Sequence, residues 1–249
     1  AENDTVTITV TPDTGYELDT LTVVDANGKN VTATEKENNK YTFIMPETKV
    51  TVSVDFSKIA ESEAAPAITF TDVAETAWYR EAVQYMSERK LMSGVSATSF
   101  APDATATRGM IVTILHQLEH TPDAASSSFS DVAAGKWYAS AVTWAAENNI
   151  VSGYADGTFG PANIVTREQM ATILYNYAKY KGYDVTRSAD LAGFADAAQI
   201  HNYAKTAMQW VNAEGLINGI NENTLSPTGS TTRAQLASIL MNFCERVAK

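Results

Sequence analysis

Gly153-Tyr154-Ala155-Asp156-Gly157-Thr158-Phe159-Gly160-Pro161, leading into Thr166-Arg167, decides the fold, because its skeleton is written three times. A proline stands eight residues after a glycine and an arginine six residues after that proline: Gly94, Pro102, Arg108; Gly153, Pro161, Arg167; Gly219, Pro227, Arg233. Upstream the order is also constant. Phe70-Thr71-Asp72-Val73, Phe129-Ser130-Asp131-Val132 and Phe194-Ala195-Asp196-Ala197 open the blocks, their aspartates 59 and 65 residues apart. An aromatic follows (Trp78, Trp137 and, one residue later, Tyr203), then an Ala-x-x-aromatic ending in Tyr85, Trp144 or Trp210. Five features held in register three times mark an internal repeat.

Each repeat predicts two helices. Thr107, Thr166 and Thr232 are N-caps for the second, and Gln169 and Gln235 three residues on complete capping boxes, which Met110 denies the first repeat. Ile111, Ile114, Leu115, Leu118 and their counterparts, from Met170 to Tyr177 and from Leu236 to Phe243, paint one face of each helix. A unit of about 55 residues cannot bury such a face alone, whereas three packed together can. The expectation is a compact pseudo-threefold α-helical domain, with repeats at 68–120, 127–182 and 192–249 and an elongated linker around Lys181 to Gly193.

Residues 1–57 are written differently. Thr5-Val6-Thr7-Ile8-Thr9-Val10, Thr20-Leu21-Thr22-Val23 and Lys49-Val50-Thr51-Val52-Ser53-Val54 alternate with period two, as half-buried strands do. Pro12-Asp13-Thr14-Gly15, Asn27-Gly28 and Asn38-Asn39 are turns between them. A small antiparallel β module of four or five strands is expected, joined by a linker at 58–67. The fold class is therefore α+β in two domains. Ala1-Glu2-Asn3-Asp4 is polar, as in a mature form or an excised fragment.

Composition narrows the function. The net charge is −11 and neither part is basic: residues 1–58 carry ten acidic and five basic groups. Bulk attraction to phosphate is excluded, so no nucleic-acid partner is expected. No apolar run approaches the roughly 20 residues of a membrane span, so membrane insertion is not expected either. One cysteine, Cys244, permits neither a disulfide framework nor a Cys-rich metal site. His116 and His120 lack a third ligand and read as a solvated helix end, and Asp156-Gly157-Thr158 reads as a turn rather than a calcium loop. No nucleophile motif, P-loop or dinucleotide fingerprint occurs, so no catalytic residue, metal or cofactor is assigned.

From Ile68 to Lys249 these residues resemble the S-layer homology (SLH) domain family, on its Phe-x-Asp-Val openings, its Gly-x-x-Asp-Gly-Thr-Phe-x-Pro loop and its Thr-Arg helix start. The β module resembles the internalin-type B-repeats. The SLH resemblance implies a non-catalytic, trefoil-like anchoring module, secreted to the bacterial cell surface, cell wall or S-layer. Its implied partner is a secondary cell-wall polysaccharide or another peptidoglycan-linked glycopolymer, often with a pyruvylated amino sugar, bound in grooves between repeats. A second hypothesis is an adhesive or protein-interaction module acting through the β unit, with other surface proteins as partners.

Carried onto this sequence, the resemblance selects Arg167, Asp131, Trp137 and Gly153 first, then Arg108, Asp72, Trp78 and Gly94, and Arg233, Asp196, Tyr203 and Gly219. Physical reasoning leaves alternatives open for each group. An arginine at the positive end of a helix is locally unfavourable. It either pairs with the repeat-opening aspartate or joins free helix N–H groups in an anion site. Trp78, Trp137 and Tyr203 either stack on a sugar or belong to the core, with spacing favouring the core. The glycines are most simply helix C-caps at positive φ, and could also let a sugar approach the backbone. The family's Thr-Arg-Ala-Glu lacks its Glu in every copy (Met110, Gln169, Gln235), and its Ala is Gly109, Glu168 and Ala234. Unequal grooves are expected, with Arg167 in the best-kept repeat and the first repeat's motifs the most eroded.

Overall fold

The computed structural model describes residues 3–11, 16–36, 40–58, 70–124 and 129–248. The turns at Pro12–Gly15 and Asn38-Asn39 and nearly all of the 58–67 linker lie outside these residues. The chain divides into two compact units, Ala1–Pro66 and Ala67–Lys249.

Among its described residues the first unit has five strands, β1 (Thr5–Thr9), β2 (Tyr16–Asp25), β3 (Thr34–Glu35), β4 (Lys40–Ile44) and β5 (Val50–Lys58). They form two antiparallel sheets, ordered β1-β4-β3 and β2-β5. Register follows the alternation: Val6 faces Phe43 and Val23 faces Val52, and a bulge separates Leu18 from Thr20. Of the Asn27-Gly28 pair, Gly28 takes the positive φ, at 78°. Among the described residues, only Val10, Val23 and Phe43 are buried hydrophobics of this unit.

The second unit contains α1 (Arg80–Glu88), α2 (Arg108–Leu118), α3 (Ala139–Glu147), α4 (Arg167–Lys181), α5 (Lys205–Ala213) and α6 (Arg233–Arg246). The second helix of each repeat packs on the first helix of the next: α2 on α3, α4 on α5, and α6 back on α1. The apolar stripes of all six helices meet in one core, with Phe100, Phe159, Trp210 and Phe243 fully enclosed. The presumed linker after α4 also joins it, since Leu191 is buried and Tyr183 and Val185 pack against the core.

A ring of main chain closes the threefold arrangement. Two residues before each arginine, Ala106 N–H donates to Thr231 O (2.8 Å), Thr231 N–H to Val165 O (3.1 Å) and Val165 N–H to Ala106 O (3.0 Å). Among the described residues, no helix is long and apolar enough to cross a membrane.

Candidate functional site

The helix starts are built from three repeats at once. The Thr107, Thr166 and Thr232 hydroxyls accept from the third N–H of their helices, and the two glutamines close capping boxes as their spacing predicts. The first two N–H groups go elsewhere. Arg108 N–H donates to Asn163 O and Gly109 N–H to Pro161 O, both at 2.9 Å. Arg167 and Glu168 do the same to Gly229 and Pro227, and Arg233 and Ala234 to Ala104 and Pro102. Donors that a helix ordinarily leaves free are thus consumed by the neighbouring repeat. The expected anion site on exposed helix N–H groups does not form.

The arginines are buried, with 6–7% of their surface exposed. They do not pair with their own aspartates. Arg108 reaches into the second repeat, donating from Nε to Phe159 O at 2.9 Å and from Nη2 to Ser152 O at 3.2 Å. Arg167 holds Leu225 O and Asn218 O of the third repeat. Arg233 holds Phe100 O at 2.9 Å and Ser93 O at 2.7 Å in the first. Burial pulls all three guanidinium pKa values down, opposed at Arg108 by Tyr154, Tyr203 and then Asp131, at Arg167 by Asp196 and at Arg233 by Asp72; an arginine stays charged regardless.

Each aspartate holds the same loop from the other side. Asp131 accepts the N–H groups of Phe159 (2.8 Å) and Gly160 (2.7 Å), Asp72 those of Phe100 and Ala101, and Asp196 those of Leu225 and Ser226. One loop residue per repeat is therefore gripped twice, its N–H by its own aspartate and its carbonyl by the arginine of the preceding repeat.

The conserved-spacing glycines are not the helix caps expected. Positive φ falls earlier, at Lys90 (58°), Asn149 (57°) and Gly215 (67°). Gly153 is small for another reason: a Cβ there would run into the Phe129 ring and the Thr158 carbonyl, and Gly94 and Gly219 have the same surroundings from Phe70 and Phe194.

Against the core assignment that spacing favoured, Trp78, Trp137 and Tyr203 stand 68%, 61% and 57% exposed. The core is filled instead by Trp144 and Trp210 from the next helical turns, with Tyr85 packed at its edge.

The candidate residues therefore regroup across repeats. A groove of about 390 Å³ is lined by Ser93 and Gly94, by Met110 and Ile114 of α2, by Trp137 of the second repeat and Arg233 of the third. One repeat on, a groove of about 80 Å³ is lined by Ser152, by Gln169 and Asn176 of α4, by Tyr203 and by Arg108. Each of these grooves draws residues from all three repeats. Arg167 stands over the third repeat's loop rather than beside Trp137 and Gly153, and the exposed Trp78 lines neither of these two grooves.

Two site residues were missed by sequence reasoning. Buried Glu168 accepts from the His201 N–H (3.1 Å) and the Tyr203 O–H (3.0 Å), with His201 Nδ1 at 2.7 Å. Burial, then Glu168, pushes the Tyr203 phenol pKa well up. The signal was a paired departure, Glu168 for a small residue and Tyr203 for tryptophan in the following repeat. His116 is not the solvated residue expected: it is buried against Trp144, with Nε2 2.8 Å from Pro122 O. No group of metal ligands occurs among the described residues.

The S-layer homology domain matches residues 69–109, 128–171 and 193–237, and the divergent InlB B-repeat domain matches 1–60. Similar proteins include exoglucanase XynX of Acetivibrio thermocellus (30% identical, 72% of this chain, 16% of the relative). The surface-layer 125 kDa protein of Lysinibacillus sphaericus is 29% identical over 68% of this chain and 14% of its own length. The cellulosome-anchoring protein of Acetivibrio thermocellus is 28% identical over 62% of this chain and 35% of its own. The chain thus spans a minor part of each relative. With three matched repeats, a second helix that starts on Thr-Arg in each, and a loop gripped by Asp and Arg in all three, the chain belongs to the S-layer homology domain family.

Proposed function

We propose that residues 68–249 anchor a bacterial surface protein to its cell wall by binding a secondary cell-wall polysaccharide in the grooves between repeats, without catalysing a reaction. The observation that carries this is the groove in which exposed Trp137, buried Arg233 and the Gly94 loop converge from three repeats. An exposed indole offers a flat apolar face to a sugar ring, and a buried guanidinium offers directed donors to an acidic substituent. The relatives support it by what they share. Surface-layer proteins, a cellulosome-anchoring protein and several glycanases match this chain over a small fraction of their own length. A common anchor on otherwise different proteins accounts for that pattern.

Co-sedimentation of the full chain with purified walls, before and after removal of the secondary polymer, tests the proposal. Binding is expected to disappear with the polymer, and binding that survives removal rejects the polysaccharide as ligand. Trp137→Ala is expected to weaken binding about tenfold, the effect of losing one stacked ring, with the helical circular dichroism unchanged.

A further inference from the structure

Strand β5 of the first unit has a free edge. Among the described residues it pairs only with β2, and Thr51, Val52, Ser53, Asp55 and Phe56 are exposed. The backbone groups that point off this edge follow from the bonds on the far side of β2. Val23, which faces Val52, accepts the Val31 N–H (2.8 Å), and Asp25, which faces Val50, donates its own N–H to Lys29 O (2.9 Å). Both bonds run away from β5, so these two facing pairs are the non-hydrogen-bonded pairs of the ladder. The N–H and C=O groups of Val50, Val52 and, by alternation, Val54 are therefore directed off the free edge. Their side chains share one face with buried Val23, yet Val52 is 41% exposed and Phe56 45%. A sheet of two strands is marginal in water. Free edges are ordinarily blunted by proline, by a bulge in the edge strand or by charge. β5 contains no proline, and the extra residue of this sheet's bulge, Asp19, lies in β2. What the edge carries is one opposite pair of exposed charges, Lys49 just before the strand and Asp55 within it.

We propose that β5 is an interface for a second copy of this chain, pairing antiparallel with β5 of that copy across a twofold axis at Val52. The occupant is identified by register. Two identical antiparallel strands face each other at positions whose numbers have a constant sum, and outward backbone groups must meet outward backbone groups. Of the registers that satisfy this, the one centred on Val52 sets Lys49 of each copy opposite Asp55 of the other. The same register sets Val52 against Val52, Val50 against Val54 and Thr51 against Ser53. Val50, Val52 and Val54 form the hydrogen-bonded pairs and cover the apolar rim. Lys49 and Asp55 fall at a non-hydrogen-bonded pair, where side chains approach most closely. Thr20 Oγ1 donates to Oδ2 of Asp55 (2.9 Å), and Oδ1 is the acceptor for the second copy's lysine. Shifting the register by one hydrogen-bonded pair toward the strand's end puts Val52 opposite Phe56 but leaves Lys49 and Asp55 unmatched, and a further shift sets Asp55 against Asp55. The two charges thus discourage unrelated strands and match in a copy of the same strand. Pairing converts two sheets of two strands into one of four and uses up both free edges, so association stops at two copies. The interface lies outside residues 68–249 and does not depend on the anchoring function.

Sedimentation equilibrium of the full chain, from about 1 μM to about 1 mM, tests it. The mass is expected to rise from 26.9 kDa toward twice that value, with a Kd of about 10–100 μM, as befits a small interface. A mass that stays at one copy throughout overturns the proposal, and so does one that climbs past two. Val52→Pro removes an N–H that β2 does not use, so it spares the β2–β5 ladder and is expected to abolish association. Lys49→Glu and Asp55→Lys test the register without touching the backbone. Each variant alone faces like charges and is expected to self-associate about fivefold more weakly. An equimolar mixture of the two variants restores both opposite pairs and is expected to associate as tightly as wild type. A mixture no tighter than its components overturns the proposal. Dimers that persist unchanged in all three variants are held by another surface and overturn it as well.

Discussion

Asp25 in the β unit and Asp196 in the helical unit hold the same hydrogen-bond inventory and do opposite jobs. Asp25 Oδ1 accepts from Asn27 and Lys29, two and four residues away, on an exposed turn. Asp196 is buried and accepts from Leu225 and Ser226, about thirty residues away. Water replaces the first carboxylate at little loss. The second organises a loop that the preceding repeat's arginine also grips, so its removal strands two N–H groups and releases a junction between repeats. The Asp25 carboxylate serves neighbours in sequence, whereas Asp196 belongs to a circuit that runs through all three repeats.

The largest expected effect tests that circuit. Removing residues 192–249 takes away Arg233, the acceptors for Arg167 and the partner of Val165 in the main-chain ring. The remaining two repeats are expected to lose most of their helical circular dichroism at 25 °C; a cooperative melt of the truncated chain would show that the ring is dispensable. Next, Asp196→Ala is expected to destabilise the helical unit by about 2–4 kcal/mol in urea titration, from the buried Leu225 and half-buried Ser226 N–H groups left without acceptors. Asp25→Ala should leave that transition where it was, and equal effects from the two would dissolve the contrast.

Acid should act through the same aspartates. Burial raises the Asp196 carboxyl pKa, but the Leu225 and Ser226 N–H groups outweigh it, and the net value falls below the ordinary 3.8. Asp72 follows the same pattern, with Phe100, Ser99 and Ala101 as donors. A pKa depressed on folding contributes stability that is complete above the unfolded value and is lost as pH falls through the folded one. Denaturation midpoints for the helical unit are therefore expected to hold steady from pH 7 to 5 and drop below pH 4. Asp196→Asn should flatten that drop, and a wild-type profile that stays level to pH 2 would count against the assignment. The smallest effect is a gain: Met110→Gln gives α2 the capping box of its sisters and is expected to add about 0.5 kcal/mol.

What could be read from the sequence was whatever repeats in the chain itself. The six helices, the threonine caps and both glutamine boxes follow from spacing and residue type. Partners across repeats could not be read, because a spacing that is identical in every copy does not say which copy supplies the contact. Pairing of Arg108 with Asp72 was therefore one of two open readings, and the structure turns Arg108 toward the loop of Asp131 instead. Exposure was hidden for a related reason: Trp78 and Trp144 both sit at helical spacing, and only the packing of α3 against α2 and α4 decides which is enclosed. The glycine at 153 was right in kind and wrong in cause, since a nearby ring rather than a dihedral angle excludes a side chain.

The main-chain ring through Ala106, Thr231 and Val165 has one more consequence. An open stack of repeats can gain or lose a member, because its end always offers the same surface to the next one. A closed triangle has no end, so its membership is fixed at three, and duplication of a single repeat has nowhere to dock. Fixed membership frees the individual repeats to stop resembling each other. One can carry a methionine where its sisters carry a capping glutamine, another can tether a phenol to a neighbour's buried glutamate, and the circle that carries them still closes.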